Sequence, residues 1–500
     1  MFDEEVAPEG STADQVGSIG RKAGRGLKWS LLGNFFLKLG SFGIGLILAR
    51  LLTPDDFGVY ALALAVTALL MHVNDFGMIA AGVQWRGRFE EMAPTGSTIA
   101  LVISLLGYGV VWILAPTFAS LASTPEAAPV VRLLAVVIVV DGVTAMRVSV
   151  LQRRFEQDRL TIAIMAGWVA NAALAVPLAF AGAGAYSFAG GQVFGAIVTG
   201  VVVFKAGHLP VRFAFDKAIA VKLLTFGVPL AASLGVESVL LNADYIIIGN
   251  ALGSAAVGYY LLAFNISSWV PGLIGTAVRV VSIAGFSRLA EHDAEVLEEG
   301  VRRSVPLLVT AILPIAVVMT TLAAPLIDFL YGDQWGPSAA VLRLLTVLMV
   351  VRMLTSFAFD VLTSLGATKA TVWVNLGWAA ALLPALWVGT RLGGIEGASA
   401  AHGICAILVA LPLAIFALHR HGISLVPALP GLVRPTVGAV LSATVILLIE
   451  PLTGAGSFVQ LLVSGGAGCC VFVLVVVPFD EIRRLPSRLR GRNSNRRGVR

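Results

Sequence analysis

The sequence predicts an all-α, polytopic membrane protein. About fourteen transmembrane helices form two six-helix lobes in a parallel pseudo-repeat, followed by a C-terminal helix pair. Three observations carry this prediction. Of the 500 residues, 57% are hydrophobic and 13% charged, whereas soluble domains carry about 25% charged residues, too many for this chain to imitate over a water-facing surface. The apolar residues gather into stretches long enough to cross a bilayer, and mean hydropathy is +0.89. The cations fall almost wholly on one side of those stretches.

A helix needs roughly 20 mostly apolar residues to cross about 30 Å of hydrocarbon. Six such stretches lie at about 29–50, 58–80, 96–118, 129–151, 160–182 and 184–206. Six more lie at about 222–249, 255–284, 304–330, 338–364, 371–389 and 396–418, and a last pair at about 430–449 and 457–478. The domain plan that follows is a cytoplasmic tail (1–28), an N-lobe (29–206), a linker (207–221), a C-lobe (222–418), the pair of helices within 430–478, and a basic tail (479–500).

Cytoplasmic loops carry an excess of Lys and Arg, so charge placement tests the count. With the N-terminus cytoplasmic, inside segments hold 26 of the 35 cations, among them Arg21, Lys22, Arg86, Arg153, Arg154, Lys205, Arg212, Arg302, Arg303 and Arg420. Outside loops hold one, Arg391; the other eight lie within spans or at their ends. One missed span would scramble this pattern. Both termini are therefore expected in the cytoplasm, the chain being multi-pass. Residues 1–20 hold five acids and no base, the opposite of a signal peptide's start, so the first span is expected to remain uncleaved.

Outside loops such as 250–254 and 331–337 are too short to fold as domains. The charged inside segment 285–303 is expected to form a helix at the membrane surface. The three cysteines, Cys405, Cys469 and Cys470, lie in apolar stretches, giving no disulfide framework and no CxxC metal site. No cofactor is expected. The arginine-rich tail lacks the interleaved aromatic residues of a nucleic-acid surface and suits anionic membrane lipids instead.

The chain repeats internally. At a shift of 200, Ile47, Leu52, Gly58, Tyr60, Leu62 and Ala63 coincide with Ile247, Leu252, Gly258, Tyr260, Leu262 and Ala263. At 211, Arg132-Leu133-Leu134 meets Arg343-Leu344-Leu345; at 210, Gly167-Trp168 meets Gly377-Trp378. Six helices between equivalent points give both halves the same direction through the membrane, and such lobes can rock around a central cavity.

The loop Leu48-Ala49-Arg50-Leu51-Leu52-Thr53-Pro54-Asp55-Asp56-Phe57-Gly58-Val59-Tyr60 resembles the LARxLxPxxFGxYA signature of Wzx-type polysaccharide flippases. These are a branch of the multidrug/oligosaccharidyl-lipid/polysaccharide exporter superfamily. Asp75-Phe76-Gly77 with Gln84, and Asn242-Ala243-Asp244-Tyr245 through Gly258-Tyr259-Tyr260, resemble further stretches of that family, although Asn250 stands where an arginine is common. The likeness covers about residues 25–420. It implies fourteen helices in two lobes, alternating access, no enzymatic activity and an undecaprenyl-diphosphate-linked oligosaccharide as substrate. It leaves room for contacts with other polysaccharide-assembly proteins.

Charges inside a bilayer are costly and need a partner or a task. Lys38, Arg132, Arg147, Arg343 and Arg352 are the candidates to hold a diphosphate, because cations, and arginine's fork above all, match phosphate oxygens. Arg132 and Arg343 equally suit anchoring at span ends. Asp141, Glu237 and Asp244 are candidates for ion coupling; Glu237 and Asp244 share one helix face about 10 Å apart in depth. They would equally serve salt bridges to Lys38 or Arg352, and Asp141 aligns with Arg352 in the repeat. Asn34, His72, Asn74, Asn171, Trp168, Asn265, Asn375 and Trp378 could meet sugars or simply join helices. Gly40, Gly43, Gly45, Gly191 and Gly195 read as close-packing positions. With no GxxxxGK[ST] motif, the energy source is an ion gradient. Export of a lipid-linked peptidoglycan precursor or of amphipathic drugs is the alternative within the superfamily. A membrane-embedded polymerase or ligase is disfavoured by the short loops, and a non-transporting scaffold by the buried charges.

Overall fold

The computed structural model describes residues 33, 35–75, 78–85, 87–271, 294–453 and 456–477, without the side chains at 69–75, 229–241, 270, 294–296 and 368. Every regular element among them is helical. The chain divides into two compact units, Met1–Ile246 and Ile247–Arg500.

The first unit begins with helix α1 (35–51), then α2 (Pro54–Asp75) and the short α3 (Met78–Gln84). Long helices follow: α4 (Phe89–Leu121), α5 and α6 (Ala127–Leu134 and Val136–Arg153, end to end), α7 (Gln157–Phe180) and α8 (Ala185–Ala206). The α1–α2 turn shows how the signature loop is built. Thr53 precedes Pro54, and its hydroxyl accepts from the Asp56 backbone N–H at 3.3 Å while Asp56 accepts from the Thr53 N–H at 3.0 Å. This is a reciprocal capping box, with proline pre-set for the first helical position. Gly184, at φ +55°, closes onto it: a Cβ there would lie 2.5 Å from Asp56 Oδ1.

Helices α7 and α8 pack through paired small residues. A Cβ on Gly195 would meet the Gly167 carbonyl at 2.6 Å, and one on Gly191 would meet Asn171 Oδ1 at 2.4 Å. Gly40 sits equally tight on the Trp168 ring. Gly43 and Gly45 differ from the sequence reading, because nothing lies within 4 Å of a Cβ at either position. Helix α9 (Lys217–Leu252) runs through the division between the units. Its root is set in the first, where Ala220 and Leu223 join a core of Met78, Phe89, Met92 and Met146.

In the second unit, α10 (Ser254–Val270) precedes α11 (Ala294–Thr321), α12 (Ala323–Tyr331) and α13 (Ser338–Ser364). Helix α14 (Thr368–Cys405) breaks at Gly393 and Gly394. That break turns it back on itself, with Gly389 and Gly397 in backbone contact. A π-turn over Ala406–Ala410 leads to α15 (Leu411–Arg420), and α16 (Leu429–Ile449) and α17 (Ser457–Val476) close the chain. Of the surface segment expected at 285–303, residues 285–293 lie outside the described residues; 294–303 open α11 and run straight into its apolar part.

Among the described residues, nine helices are long and apolar enough to cross a membrane, the stretch Lys369–Arg420 being counted as one. Large apolar side chains such as Leu106, Ile113, Phe180 and Leu408 are exposed, a surface suited to hydrocarbon rather than water. The chain is therefore a multi-pass membrane protein.

Two predictions follow from this packing. Gly167→Val should destabilise the protein by about 1–3 kcal/mol through overpacking, seen as a lower melting temperature in detergent, while Gly43→Ala should leave melting almost unchanged. The second concerns the turn after α12, where Ser457 of α17 donates to Asp328. A hydrogen bond that the protonated Asp333 carboxyl donates to Asp328, and the charge of Asp328, hold Asp333 above the ordinary carboxylate range. An acid raised by folding adds stability below its unfolded pKa and loses it as pH rises through the folded value. Hydrogen exchange over 332–337, corrected for intrinsic rate, should therefore speed up with rising pH, and Asp333→Asn should flatten that response.

Candidate functional site

In hydrocarbon, polar groups that cannot reach water must satisfy one another, so intramembrane polar clusters are where chemistry collects. Each unit holds one. In the first, Phe57 and Tyr60 stand one turn apart on α2 and face Phe188 and Gln192, one turn apart on α8. The Tyr60 hydroxyl donates to Gln192 Oε1 at 2.7 Å. Its ring stacks on Phe188 at 4.4 Å, and Phe57 meets that ring edge-on at 4.8 Å.

The second unit repeats the arrangement with a titratable partner. Tyr260 on α10, fully buried, pairs with Nδ1 of His402 on α14 at 3.2 Å. Trp378 lies edge-on to His402 at 6.2 Å. Tyr260 stacks with Phe264 one turn on, and the Arg352 guanidinium of α13 sits over Phe264 at 5.5 Å. The run Trp378–His402–Tyr260–Phe264–Arg352, buried at its first three members and half-buried at Phe264 and Arg352, thus joins three helices. The indole N–H groups of Trp168 and Trp378, equivalent at the shift of 210, find no acceptor among the described residues.

The other sequence candidates are spread out. Lys38 on α1 and Arg343 on α13 are exposed. Arg132 on α5 lies over the Trp112 ring at 4.8 Å and donates to the Trp112 carbonyl at 3.1 Å, tying α5 to α4. Asp141 is half-buried on α6. Asp244 on α9 is 1% exposed and accepts from the Tyr245 N–H at 3.0 Å. Helix α9 runs unbroken through the Glu237 position, whose side chain lies outside the described residues. Arg147 on α6 is buried beneath the segment after α8, its Nη2 donating to the Leu209 carbonyl at 3.1 Å. No cluster of three or more His, Cys, Asp or Glu side chains suited to a metal exists among the described residues.

Sequence reasoning overlooked Gln192 and His402. Extending the two offsets already found would have located them: 200 relates Tyr60 to Tyr260, and 210 relates Gln192 to His402.

Beside the second cluster lies a cavity of about 750 Å³ with almost wholly apolar walls, lined by Ile266 and Trp269 of α10, Pro314 and Ile315 of α11, and Phe472 and Val473 of α17. Helix α10 therefore serves both, presenting Tyr260 and Phe264 to the polar run and Ile266 and Trp269 to the cavity.

The tyrosine pairs invite a direct measurement. Tyr260→Phe strands the ring nitrogen of His402 and should cost about 1–3 kcal/mol of stability. His402→Gln, which installs the first unit's partner, should cost less. Melting in detergent separates the two.

A family model described as "Polysaccharide biosynthesis protein" matches residues 47–340, from the signature loop past the turn after α12. The chain is 25% identical over 483 residues to the succinoglycan biosynthesis transport protein ExoT of Rhizobium meliloti (strain 1021), covering 94% of this chain and 96% of that one. It is 21% identical over 393 residues to the lipopolysaccharide biosynthesis protein WzxC of Escherichia coli (strain K12), covering 76% and 77%. In fold it is similar to the lipid II flippase MurJ in an inward closed conformation, with a TM-score of 0.77 at 14% identity, covering 90% of this chain and 98% of that one. An inward-facing multidrug transporter of the MATE family gives 0.60 at 17% identity, covering 78% and 98%. A match spanning more than half the sequence, through the loop that first suggested it, assigns the chain to the polysaccharide biosynthesis protein family.

Proposed function

We propose that this protein is a transporter that flips an undecaprenyl-diphosphate-linked oligosaccharide from the cytoplasmic to the outer leaflet of a bacterial cytoplasmic membrane, for cell-surface polysaccharide biosynthesis. The observation that carries this reading is the double duty of α10, with a polar, aromatic run on one set of residues and a large apolar cavity on another. A molecule that needs both has a polar head and a long apolar tail. In this reading the cavity takes polyprenyl carbons, whose burial is worth about 0.8 kcal/mol per CH₂. The free indole N–H groups of Trp168 and Trp378 suit sugar hydroxyls. Similarity to ExoT over nearly the whole chain supports the same class of cargo.

The full plan has fourteen helices in two lobes with both termini cytoplasmic, alternating in access and driven by an ion gradient. Lys38, Arg132, Arg343 and Arg352 are assigned to the diphosphate, with the fifth expected cation, Arg147, set apart because it lies beneath the Leu209 carbonyl; Asp141, Glu237 and Asp244 are assigned to ion coupling.

The test is reconstitution into liposomes with a polyprenyl-diphosphate oligosaccharide in one leaflet. Lectin binding on the far side should rise only with protein present and should accelerate under an imposed cation or proton gradient. Val473→Trp, which fills the apolar cavity, should slow flipping several-fold without lowering the melting temperature. Equal lectin access in protein-free vesicles would sink the proposal. Faster movement of a lipid-linked peptidoglycan precursor or an amphipathic drug in the same assay would favour the alternative cargo.

A further inference from the structure

Arg147 is a buried cation to which the described residues supply no counter-charge. It is 5% exposed, and its guanidinium lies 3.6 Å from the Phe204 ring centroid. One nitrogen donates to the Leu209 carbonyl at 3.1 Å, and Nε finds no acceptor. No carboxylate among the described residues lies within 4 Å of it. Burying a guanidinium without a paired anion is costly, so the position asks for an anion that the described residues do not supply.

The space for one is present. A pocket of about 90 Å³, lined by Ser97, Arg147, Phe204, Arg212 and Phe213, is several times the roughly 10–15 Å³ that admits one water, room for a phosphate group. Two guanidinium groups and a hydroxyl are all donors, the complement of phosphate oxygens. Arg147 lies six residues before Arg153, the end of α6, or about 9 Å in depth.

The pocket's roof is the non-helical segment between α8 and α9, and it is built in rather than loose. Thr98 donates to the Ala214 carbonyl at 3.0 Å, and the Asp216 N–H donates to Thr95 at 3.1 Å. Gly207 lets the chain cross Arg147, since a Cβ there would lie 2.9 Å from Arg147 Cβ. The roof's acid, Asp216, is occupied in capping α9 through the N–H groups of Ala218 and Ile219. The segment nevertheless exposes Val211, Phe213 and Phe215, each at about 60% or more, among Lys205, Arg212, Lys217 and Lys222. Exposed large apolar side chains mixed with cations mark a surface that lies in the lipid headgroup region.

We infer that the Arg147–Arg212 pocket binds the phosphate of an anionic phospholipid in the cytoplasmic leaflet, a structural lipid distinct from the transported substrate, which clamps the segment between α8 and α9.

Native mass spectrometry of the purified full chain tests this, with phosphatidylglycerol and phosphatidylcholine offered at equal mole fraction. The wild type should retain phosphatidylglycerol in preference, and Arg147→Gln should weaken that retention roughly tenfold, the loss of one or two charge-assisted hydrogen bonds. Because Arg147→Gln can disturb folding, Arg212→Gln on the exposed roof is the second variant; it should weaken phosphatidylglycerol retention several-fold at an unchanged melting temperature. Equal retention by the wild type and Arg212→Gln would overturn the proposal. Displacement by millimolar inorganic phosphate would overturn the lipid as source, and displacement by polyprenyl diphosphate would return the pocket to the transported substrate.

Discussion

Everything in this molecule follows from one requirement: inside hydrocarbon, each backbone N–H and C=O must be satisfied within the protein. Helices meet that requirement segment by segment, which is why every regular element described is helical. It also changes what holds helices together. Lipid is as apolar as leucine, so burying leucine gains little; close approach and polar pairs count instead. The Gly167–Gly195 contact and the Gly389–Gly397 hairpin are the first device, and the tyrosine pairs on Gln192 and His402 are the second.

The two units show how a repeat diverges while its scaffold persists. Tyr60 and Tyr260 occupy one place in the repeat, and each reaches across to a helix about 130–140 residues further on. The partner differs: an amide in the first unit and an imidazole in the second. An amide has fixed donors and acceptors, whereas an imidazole exchanges roles with its tautomer and can carry charge. The second unit also adds Arg352 and Trp378 to the same run, and the large apolar cavity lies next to that run. The chemistry of the chain is weighted toward its second half even though the architecture is doubled.

Much of this was legible in the sequence, for definable reasons. The all-helical, multi-pass class follows from hydropathy, a local property. The signature loop was readable as a resemblance to a family motif, whereas its capping box of Thr53 and Asp56 came only with the structure. What escaped depends on contacts between distant segments. Hydropathy cannot tell that Gly40 sits on Trp168 while Gly43 and Gly45 face open space, because all three lie in one apolar run. Arg147 and Arg132 looked alike as intramembrane cations, yet one lies beneath the linker and the other on Trp112. Histidine at 402 passed unnoticed as a single polar residue in an apolar stretch; only its pairing with Tyr260 gives it meaning.

The root of α9 has a consequence for how the chain is made. Ala220 and Leu223 complete a core whose other members, Met78, Phe89, Met92 and Met146, were synthesised much earlier. The strap before α9 settles on Thr95 and Thr98 of α4 as that core closes. Proteins generally fold domain by domain as they are synthesised, N-terminal first. Here the first half cannot finish when its last membrane helix leaves the ribosome. It waits for the opening turns of α9, so its core is sealed only while the helix that leads into the second unit is being made.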